Sequence, residues 1–351
     1  MPCTIFDHPD LDGHEQVVFA TDPATGLRAI IAIHDTTLGP ALGGCRAWAY
    51  ATEAEAVADA LRLSRGMSYK AALAGLPLGG GKAVMLTAPD RPKTPAAMRA
   101  LGRAVDRLGG RYVTAEDVGT GVADMDAVAR ATRFVVGHAG AAGDPSPHTA
   151  RGVFLCLREA VRHRLGRDLA GVHVAIKGLG SVGGGLARLL HAAGARLTVA
   201  DLDPRRVAKA SAAFAAEAVP VAAIATVEAD VFAPCALGGD LDAPTIAALR
   251  ARIVCGAANN QLGTPEDAHR LARRGVLYCP DYLVNAGGLI HVARHVLGLD
   301  GAAVAARLED LPGTLRTILE RAAREGATPG AVADRTARAR FRPREEERLS
   351  A

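Results

Sequence analysis

Apolar and polar positions change rhythm several times along the chain, and each rhythm predicts an element. Gln16 to Ala20 and Arg28 to His34 read as two strands, and DPATG (22–26) between them supplies turn residues, so the pair forms a hairpin. Thr52 and Glu55 have capping-box spacing, and Val57, Ala60, Leu61 and Ser64 follow at helical spacing. That helix runs into MSYKAALAGLPLGGGKAVM (67–85), where it ends near Pro77 and doubles back through a loop of Gly79, Gly80 and Gly81. GPALGGCR (39–46) reads as another glycine-rich loop. A helix is predicted from Pro95 to Leu108, ahead of a strand in RYVTAEDVGT (111–120) that ends on Glu116 and Asp117.

GHAGAAGDPSP (137–147) is the most loop-like stretch and marks a domain boundary and hinge, with Thr149 as the cap of the next helix. From His173 onward short apolar strands alternate with helices, the pattern of a parallel sheet. VFAPCAL (231–237), RIVCGAANNQ (252–261) and VLYCPDYLVNAGG (276–288) read as strand ends running into loops. Helices rich in Ala, Leu and Arg follow Gly298, and RARFRPREEERLSA (338–351) reads as a solvated tail.

Composition narrows the class. A chain of 351 residues can build two domains with separate cores. The net charge of +4 is small, the arginines are scattered except near the C-terminus, and aromatics are few, which argues against nucleic-acid binding. Cys3, Cys45, Cys156, Cys235, Cys255 and Cys279 lie far apart, as expected of reduced thiols in a cytoplasmic protein. The N-terminus lacks an apolar signal core, and no apolar run reaches the length of a membrane span.

Several residues are candidates for chemistry. Lys70 and Lys82 stand twelve apart, the second just past three glycines that let a ligand approach the backbone. One lysine can pair with a carboxylate while the other loses its proton and acts as a base; alternatively both are solvated loop lysines. Gly43 and Gly44 can offer backbone N–H groups to an anion or simply make a turn. Asp117 is either a functional group at a strand's carboxyl end or a helix N-cap. Asn259, Asn260 and Asn285 are polar contacts or structural turn formers. His291 and His295 are four apart on a predicted helix, but no carboxylate completes a HExxH arrangement, so no metal is expected.

The most complete motif is HVAIKGLGSVGGGLARLL (173–190), which reads strand, glycine turn, helix. Gly178, Gly180 and Gly183 fit G-x-G-x-x-G, and RLTVAD (196–201) ends on Asp201, eighteen residues after Gly183. Together these form the dinucleotide fingerprint: pyrophosphate on the helix N-terminus, ribose hydroxyls on the acidic group. Asp201 repels a ribose 2′-phosphate, which favours NAD over NADP, whereas Arg205 and Arg206 nearby weigh the other way.

The segments LGPALGGCR, LSRGMSYKAALAGLPLGGGKAV, GGRYVTAEDVGTGVADMD, DPSPHTARGV, GLGSVG, APCALGG, CGAANNQL and PDYLVNAGG, in this order over nearly the whole chain, resemble the glutamate/leucine/phenylalanine/valine dehydrogenase superfamily, and most of all its leucine/valine branch. The resemblance implies an α/β fold of two domains. An N-terminal α/β substrate domain (1–147) would be joined by returning C-terminal helices (306–351). A Rossmann-type, doubly wound NAD domain would span 148–305, with the active site in a cleft that closes. It implies a homo-oligomer acting on an amino acid, a 2-oxo acid and ammonia.

The same resemblance assigns roles. Lys70 and the Gly43–Gly44 backbone hold the substrate α-carboxylate, Lys82 activates water, and Asp117 exchanges protons with the substrate nitrogen. Asn259 helps fix amino acid and nicotinamide, and Asn285 contacts the cofactor. Gly178, Gly180, Ser181, Val182, Gly183 and Asp201 bind the dinucleotide. Glutamate-specific relatives hold the side-chain carboxylate with a lysine and a serine, where this chain has Leu42 and Val292. An apolar pocket cannot compensate a buried second carboxylate, so an apolar amino acid is expected. Ala115 resembles leucine-type enzymes and Leu289 some phenylalanine-type ones. The expected substrate is therefore valine, leucine or isoleucine, with an aromatic amino acid as the alternative, and a non-catalytic NAD-binding sensor as the alternative of another class. Arg294 and His295 stand where relatives usually carry acidic residues.

Overall fold

A computed structural model describes residues 5–141 and 143–342. It divides into two compact units. The first takes in the chain up to Gly143, Val292–Leu299 and Ala337 onward; the second is Asp144–His291 and Asp300–Thr336.

In the first unit the predicted hairpin forms from β1 (Gln16–Asp22) and β2 (Leu27–Asp35), paired antiparallel through a turn in which Gly26 has φ +72°. β3 (Ala41–Trp48), α1 (Glu53–Leu73), β4 (Gly79–Leu86), α2 (Pro95–Asp106), β5 (Tyr112–Glu116) and α3 (Val122–Ala129) follow. Among the described residues the sheet order is β1-β2-β4-β3-β5, with β3 parallel to both β4 and β5. Thr52 caps α1, its hydroxyl accepting from Glu55 N. α1 lays Ala56, Val57, Ala60 and Leu61 against Ile30, Ala32 and Val84 on one sheet face. Full burial of a leucine such as Leu61 contributes about 2 kcal/mol. α2 and α3 cover the other face over Ile31, Ile33, Cys45 and Met85.

Both glycine stretches expected as loops are strands: Gly43 and Gly44 lie in β3, and Gly79, Gly80 and Gly81 open β4. Close approach requires glycine here. A Cβ on Gly80 would sit 2.1 Å from Ser68 N of α1, and one on Gly81 would sit 2.6 Å from the Tyr112 ring. The β3–β4 register pairs Ala41 with Gly79 and Leu42 with Gly80, then resumes only at Cys45 with Ala83, so it is interrupted at Gly43 and Gly44.

The second unit begins with α4 (Ser146–Leu165), whose N-cap is Pro145 rather than Thr149; the Thr149 hydroxyl donates back to Pro145 O inside the first turn. β6 (His173–Lys177), α5 (Ser181–Ala192), β7 (Arg196–Ala200), α6 (Pro204–Phe214), β8 (Glu217–Ala218), β9 (Val231–Pro234), α7 (Ala243–Ala248), β10 (Ile253–Val254), α8 (Glu266–Arg273), β11 (Leu277–Tyr278) and α9 (Asp281–Val284) alternate as the sequence pattern predicts. The sheet is parallel with order β11-β10-β9-β6-β7-β8. The order reverses at β6, and ligands bind parallel sheets at such switch points.

α10 (Gly287–Leu297), α11 (Gly301–Glu325) and α12 (Pro329–Phe341) complete the chain. Residues 306–336, expected to return to the first unit, stay with the second. α11 packs its stripe of Leu308, Leu311, Leu315 and Ile318 alongside α4, and Arg316 donates to both oxygens of Glu159 at 2.6 and 3.0 Å. Part of the expected tail is ordered too. Within the first unit Phe341 is buried and stacks on Tyr69 at 5.6 Å, and Arg338 donates to Tyr69 Oη. The rest of the tail and Cys3 lie outside the described residues.

Candidate active site

The first group of candidate residues lies in the first halves of β3 and β4 and at the carboxyl end of β5. Alternation along each strand puts Leu42, Gly44 and Arg46 of β3 on one face, and the pairing of Gly44 with Ala115 adds Ala115 to that face. Lys82, buried in β4, donates from Nζ to Asp117 Oδ2 at 2.8 Å. Arg46 Nε donates to the same oxygen at 3.2 Å. Burial alone would push the Asp117 carboxyl up; the Lys82 ammonium and the Arg46 guanidinium outweigh it and hold the carboxyl below its usual range. Asp117 caps no helix, since Gly121 is the N-cap of α3. Instead its own backbone N–H donates to Thr120 Oγ1, which donates to Cys45 O, fixing the turn after β5 to β3.

Lys70 stands partly exposed in the last turn of α1, the helix that packs on β4. Leu42 is fully buried and Ala115 nearly so. Leu289 and Val292 lie three apart on α10, the first buried and the second partly so, and Arg294 and His295 follow on the same helix.

The second group surrounds the turn after β6. Gly178 has φ +97°, and a Cβ there would sit 2.9 Å from Ala236 N. A Cβ on Gly183 would sit 2.0 Å from Gly178 O, so the third glycine is what lets α5 pack on the turn. Gly180, the N-cap of α5, has nothing nearer its missing Cβ than Arg206 Nη1 at 4.0 Å. Ser181 and Val182 open the helix behind it. Asp201 Oδ2 accepts from Leu179 N at 2.6 Å and Oδ1 from Asp203 N at 2.8 Å, so this carboxylate braces the glycine turn. A carboxylate has about four acceptor sites, so capacity remains for ribose hydroxyls. Arg206 Nη1 lies 3.8 Å from Asp201 Oδ2.

Beyond β10, Asn285 Nδ2 donates to Asn259 Oδ1 at 2.8 Å and to Ala257 O at 3.1 Å. Asn260, at φ +51°, makes the left-handed turn beside them. Asn285 Oδ1 is buried and accepts nothing, a vacancy suited to an amide donor such as a nicotinamide carboxamide. The open helix N-terminus at Gly180, the spare capacity of Asp201 and this unfilled acceptor all fit a bound dinucleotide.

Sequence reasoning missed Arg46, Asp59, Tyr50 and Thr120. Only Arg46 had a visible cue, two residues beyond Gly44 and therefore on the same strand face. Among the described residues no group of three or more His, Cys, Asp or Glu is placed to hold a metal, and no helix is long and apolar enough to cross a membrane.

A parallel sheet with a dinucleotide turn, in one chain with an ion pair between a buried strand lysine and an aspartate just past a strand end, defines a dinucleotide-dependent dehydrogenase. Known proteins give the family. The model described as Glu/Leu/Phe/Val dehydrogenase, dimerisation domain, matches residues 14–134, and that described as Glutamate/Leucine/Phenylalanine/Valine dehydrogenase matches 140–204 and 199–298. A leucine dehydrogenase from Bacillus cereus is 45% identical over 345 residues, covering 97% of this chain and 94% of its own. A valine dehydrogenase from Streptomyces coelicolor is 49% identical, with 97% and 96% covered. The crystal structure of L-tryptophan dehydrogenase from Nostoc punctiforme superposes with a TM-score of 0.86 at 43% identity, covering 96% of this chain and 97% of that one. The chain belongs to the Glu/Leu/Phe/Val dehydrogenase family. It is an amino-acid dehydrogenase that uses NAD.

Proposed function

We propose that the protein catalyses reversible oxidative deamination of a branched-chain L-amino acid, valine, leucine or isoleucine, to its 2-oxo acid and ammonia. The observation that carries this is the Lys82–Asp117 ion pair at 2.8 Å, its lysine buried and its carboxylate partly so, in a chain 45–49% identical to leucine and valine dehydrogenases. NAD, when bound, accepts the hydride from the substrate Cα. In this reading Lys70 and the Gly43–Gly44 backbone hold the α-carboxylate. Asp117 takes a proton from the substrate nitrogen as the iminium forms. Lys82 takes a proton from the water that adds to the iminium carbon, and Asp117 returns its proton to the leaving ammonia. The hydroxyl of the water adduct gives up its proton as the C–N bond breaks, so zwitterionic amino acid, NAD+ and water give 2-oxo acid, NADH, ammonium and one proton. Gly178, Gly180, Ser181, Val182, Gly183 and Asp201 would hold the dinucleotide, with Asn259 and Asn285 at its nicotinamide end.

Buried Leu42 and Ala115, with partly buried Val292 of the same unit, support an apolar substrate side chain. One methylene there discriminates by only about 1–3 kcal/mol, so an aromatic substrate is the second reading, favoured by Leu289 and by the similarity to a tryptophan dehydrogenase. A homo-oligomer is supported by the dimerisation-domain description of the N-terminal match. The cytoplasm is supported by the five described cysteines, all free. The test is NADH formation over a panel of L-amino acids, with the 2-oxo acid and ammonia quantified. Turnover with valine, leucine or isoleucine and little with glutamate is expected. Preference for phenylalanine or tryptophan would replace the substrate, and NADH binding without turnover on any amino acid would overturn the reading in favour of a sensor.

A further inference from the structure

Asp117 Oδ2 receives two cations, Lys82 Nζ at 2.8 Å and Arg46 Nε at 3.2 Å. The other arm of Arg46 is held as well: Nη1 donates to Asp59 Oδ2 at 2.9 Å, and Tyr50 Oη donates to that same oxygen at 2.5 Å. Asp59 comes from α1, Arg46 from β3 and Tyr50 from the segment after β3, so three pieces of the fold fix one guanidinium. On its other side Arg46 lines an open groove of about 470 Å³ with Trp48, Tyr50, Asp59 and Val118. It stands between that groove and the carboxylate.

A lysine that exchanges a proton cannot also serve as a constant counter-charge. Whenever Lys82 is neutral, a largely buried Asp117 would be left without it, and burial would then favour the protonated acid. Arginine does not deprotonate in proteins. We propose that Arg46 is a positioning residue that keeps Asp117 aligned and anionic between its proton exchanges, whichever form Lys82 is in, and that Asp59 and Tyr50 hold Arg46 for that task. The proposal rests on the reading of Lys82 and Asp117 as the proton-transfer pair.

Among the described residues Lys82 of β4 and Arg46 of β3 pair with Asp117, and Cys45 of β3 and Tyr112 of β5 feel its charge from the core under α2 and α3. Burial pushes the Cys45 thiol up to about 12 and the Tyr112 phenol higher still, so neither titrates near neutral pH. Asp124 and Lys93, at 2.5 Å from each other, neutralise one another near Cys45. Asp59 adds a negative charge behind Arg46. Burial and then the bond to Asp59 raise the Tyr50 phenol, which keeps it a donor.

The test compares Arg46→Gln, Arg46→Lys and Asp59→Asn with Asp117→Asn. The readouts are kcat and KM separately, log(kcat/KM) against pH, NADH binding and the melting curve. Arg46→Gln should bind NADH normally and lose kcat by about 100-fold, as expected of a misplaced reacting group. The pH at which the second proton enters the acid side of its profile should rise by about one pH unit. Arg46→Lys should recover part of the kcat and most of that shift. Asp59→Asn keeps an acceptor for Arg46 but removes a repelling charge, so its profile should move to lower pH. A merely structural arginine would move neither profile. Folded, NADH-binding Arg46→Gln with wild-type kcat and an unmoved acid side overturns the proposal; if that variant does not fold, wild-type kcat in Arg46→Lys together with an unmoved profile in Asp59→Asn does so. Undiminished turnover in Asp117→Asn would instead show that the reading beneath the proposal is wrong.

Discussion

Gly44→Ala tests how tightly the fold holds the reacting carboxylate. Gly44 is not in a left-handed conformation, so the substitution carries no backbone penalty, and its whole effect is steric. The new Cβ would sit 2.4 Å from Glu116 O and 2.8 Å from Asp117 Cβ, where ordinary contact begins near 3.4 Å. It falls short by about 1 Å and about 0.6 Å. Gly44 is paired in register with Ala115, so β3 and β5 must spread or the turn carrying Asp117 must swing. Overpacking of this kind costs about 1–3 kcal/mol of stability, and a displacement near 1 Å at a reacting group costs about 100-fold in rate. The Lys82–Asp117 bond at 2.8 Å cannot survive that shift intact. Initial rates of NADH formation, NADH binding and melting curves separate these effects. Gly66→Ala is the control: it sits inside α1 with no atom within 4 Å of a new Cβ. It should leave turnover unchanged and stabilise by about 0.5–1 kcal/mol. Gly44→Ala with NADH binding intact and wild-type turnover would refute the steric argument.

Other expectations follow from the same geometry. Asp201→Ala removes both the ribose acceptor and the brace on Leu179 N, so binding of NAD and NADP should both weaken, NAD more; isothermal titration giving equal losses would mean that Asp201 is only a brace. His34 is buried against His14, Tyr69 and Phe341, with Nδ1 2.8 Å from Ser68 Oγ and Nε2 accepting no bond. Burial, then the charges of His14 and Arg342, push its imidazole down to about 3. The unfolded chain takes up that proton from about 6.5 downward and the folded chain only near 3, so stability is full above 6.5 and is lost progressively as pH falls between the two. The loss amounts to at most about 5 kcal/mol. Melting curves of wild type and His34→Phe over that window should converge toward low pH; parallel curves would show that His34 does not carry the pH dependence.

The dinucleotide turn was legible because its parts are local: glycines at fixed spacing after a strand, and an acidic residue at the end of the next. Asp201 was singled out from sequence as the expected ribose ligand, while its bond to Leu179 N was not, because backbone bonds across a turn leave no trace in residue type. Gly79, Gly80 and Gly81 were misread as a loop because glycine usually marks turns. Here they admit Ser68 of α1 and the Tyr112 ring into a strand, and those neighbours are set by tertiary packing. Arg46 had a cue in its spacing from Gly44, but its task did not, because its partners lie 13 and 71 residues away. α11 has a clear apolar stripe, but a stripe does not say which unit it covers, and its partner is α4. Asp117 illustrates the favourable case: its place at a strand end suggested function, and the fold brings Lys82 to it.

The most direct test of the central claim, that the Lys82–Asp117 pair is where the chemistry occurs, is NADH formation from leucine or valine by wild type and Lys82→Ala, with NADH binding measured on both. The account predicts that Lys82→Ala binds NADH as wild type does and retains less than about one hundredth of the turnover, within the usual contribution of a positioned acid or base. Turnover near that of wild type in a variant that binds NADH normally would contradict it.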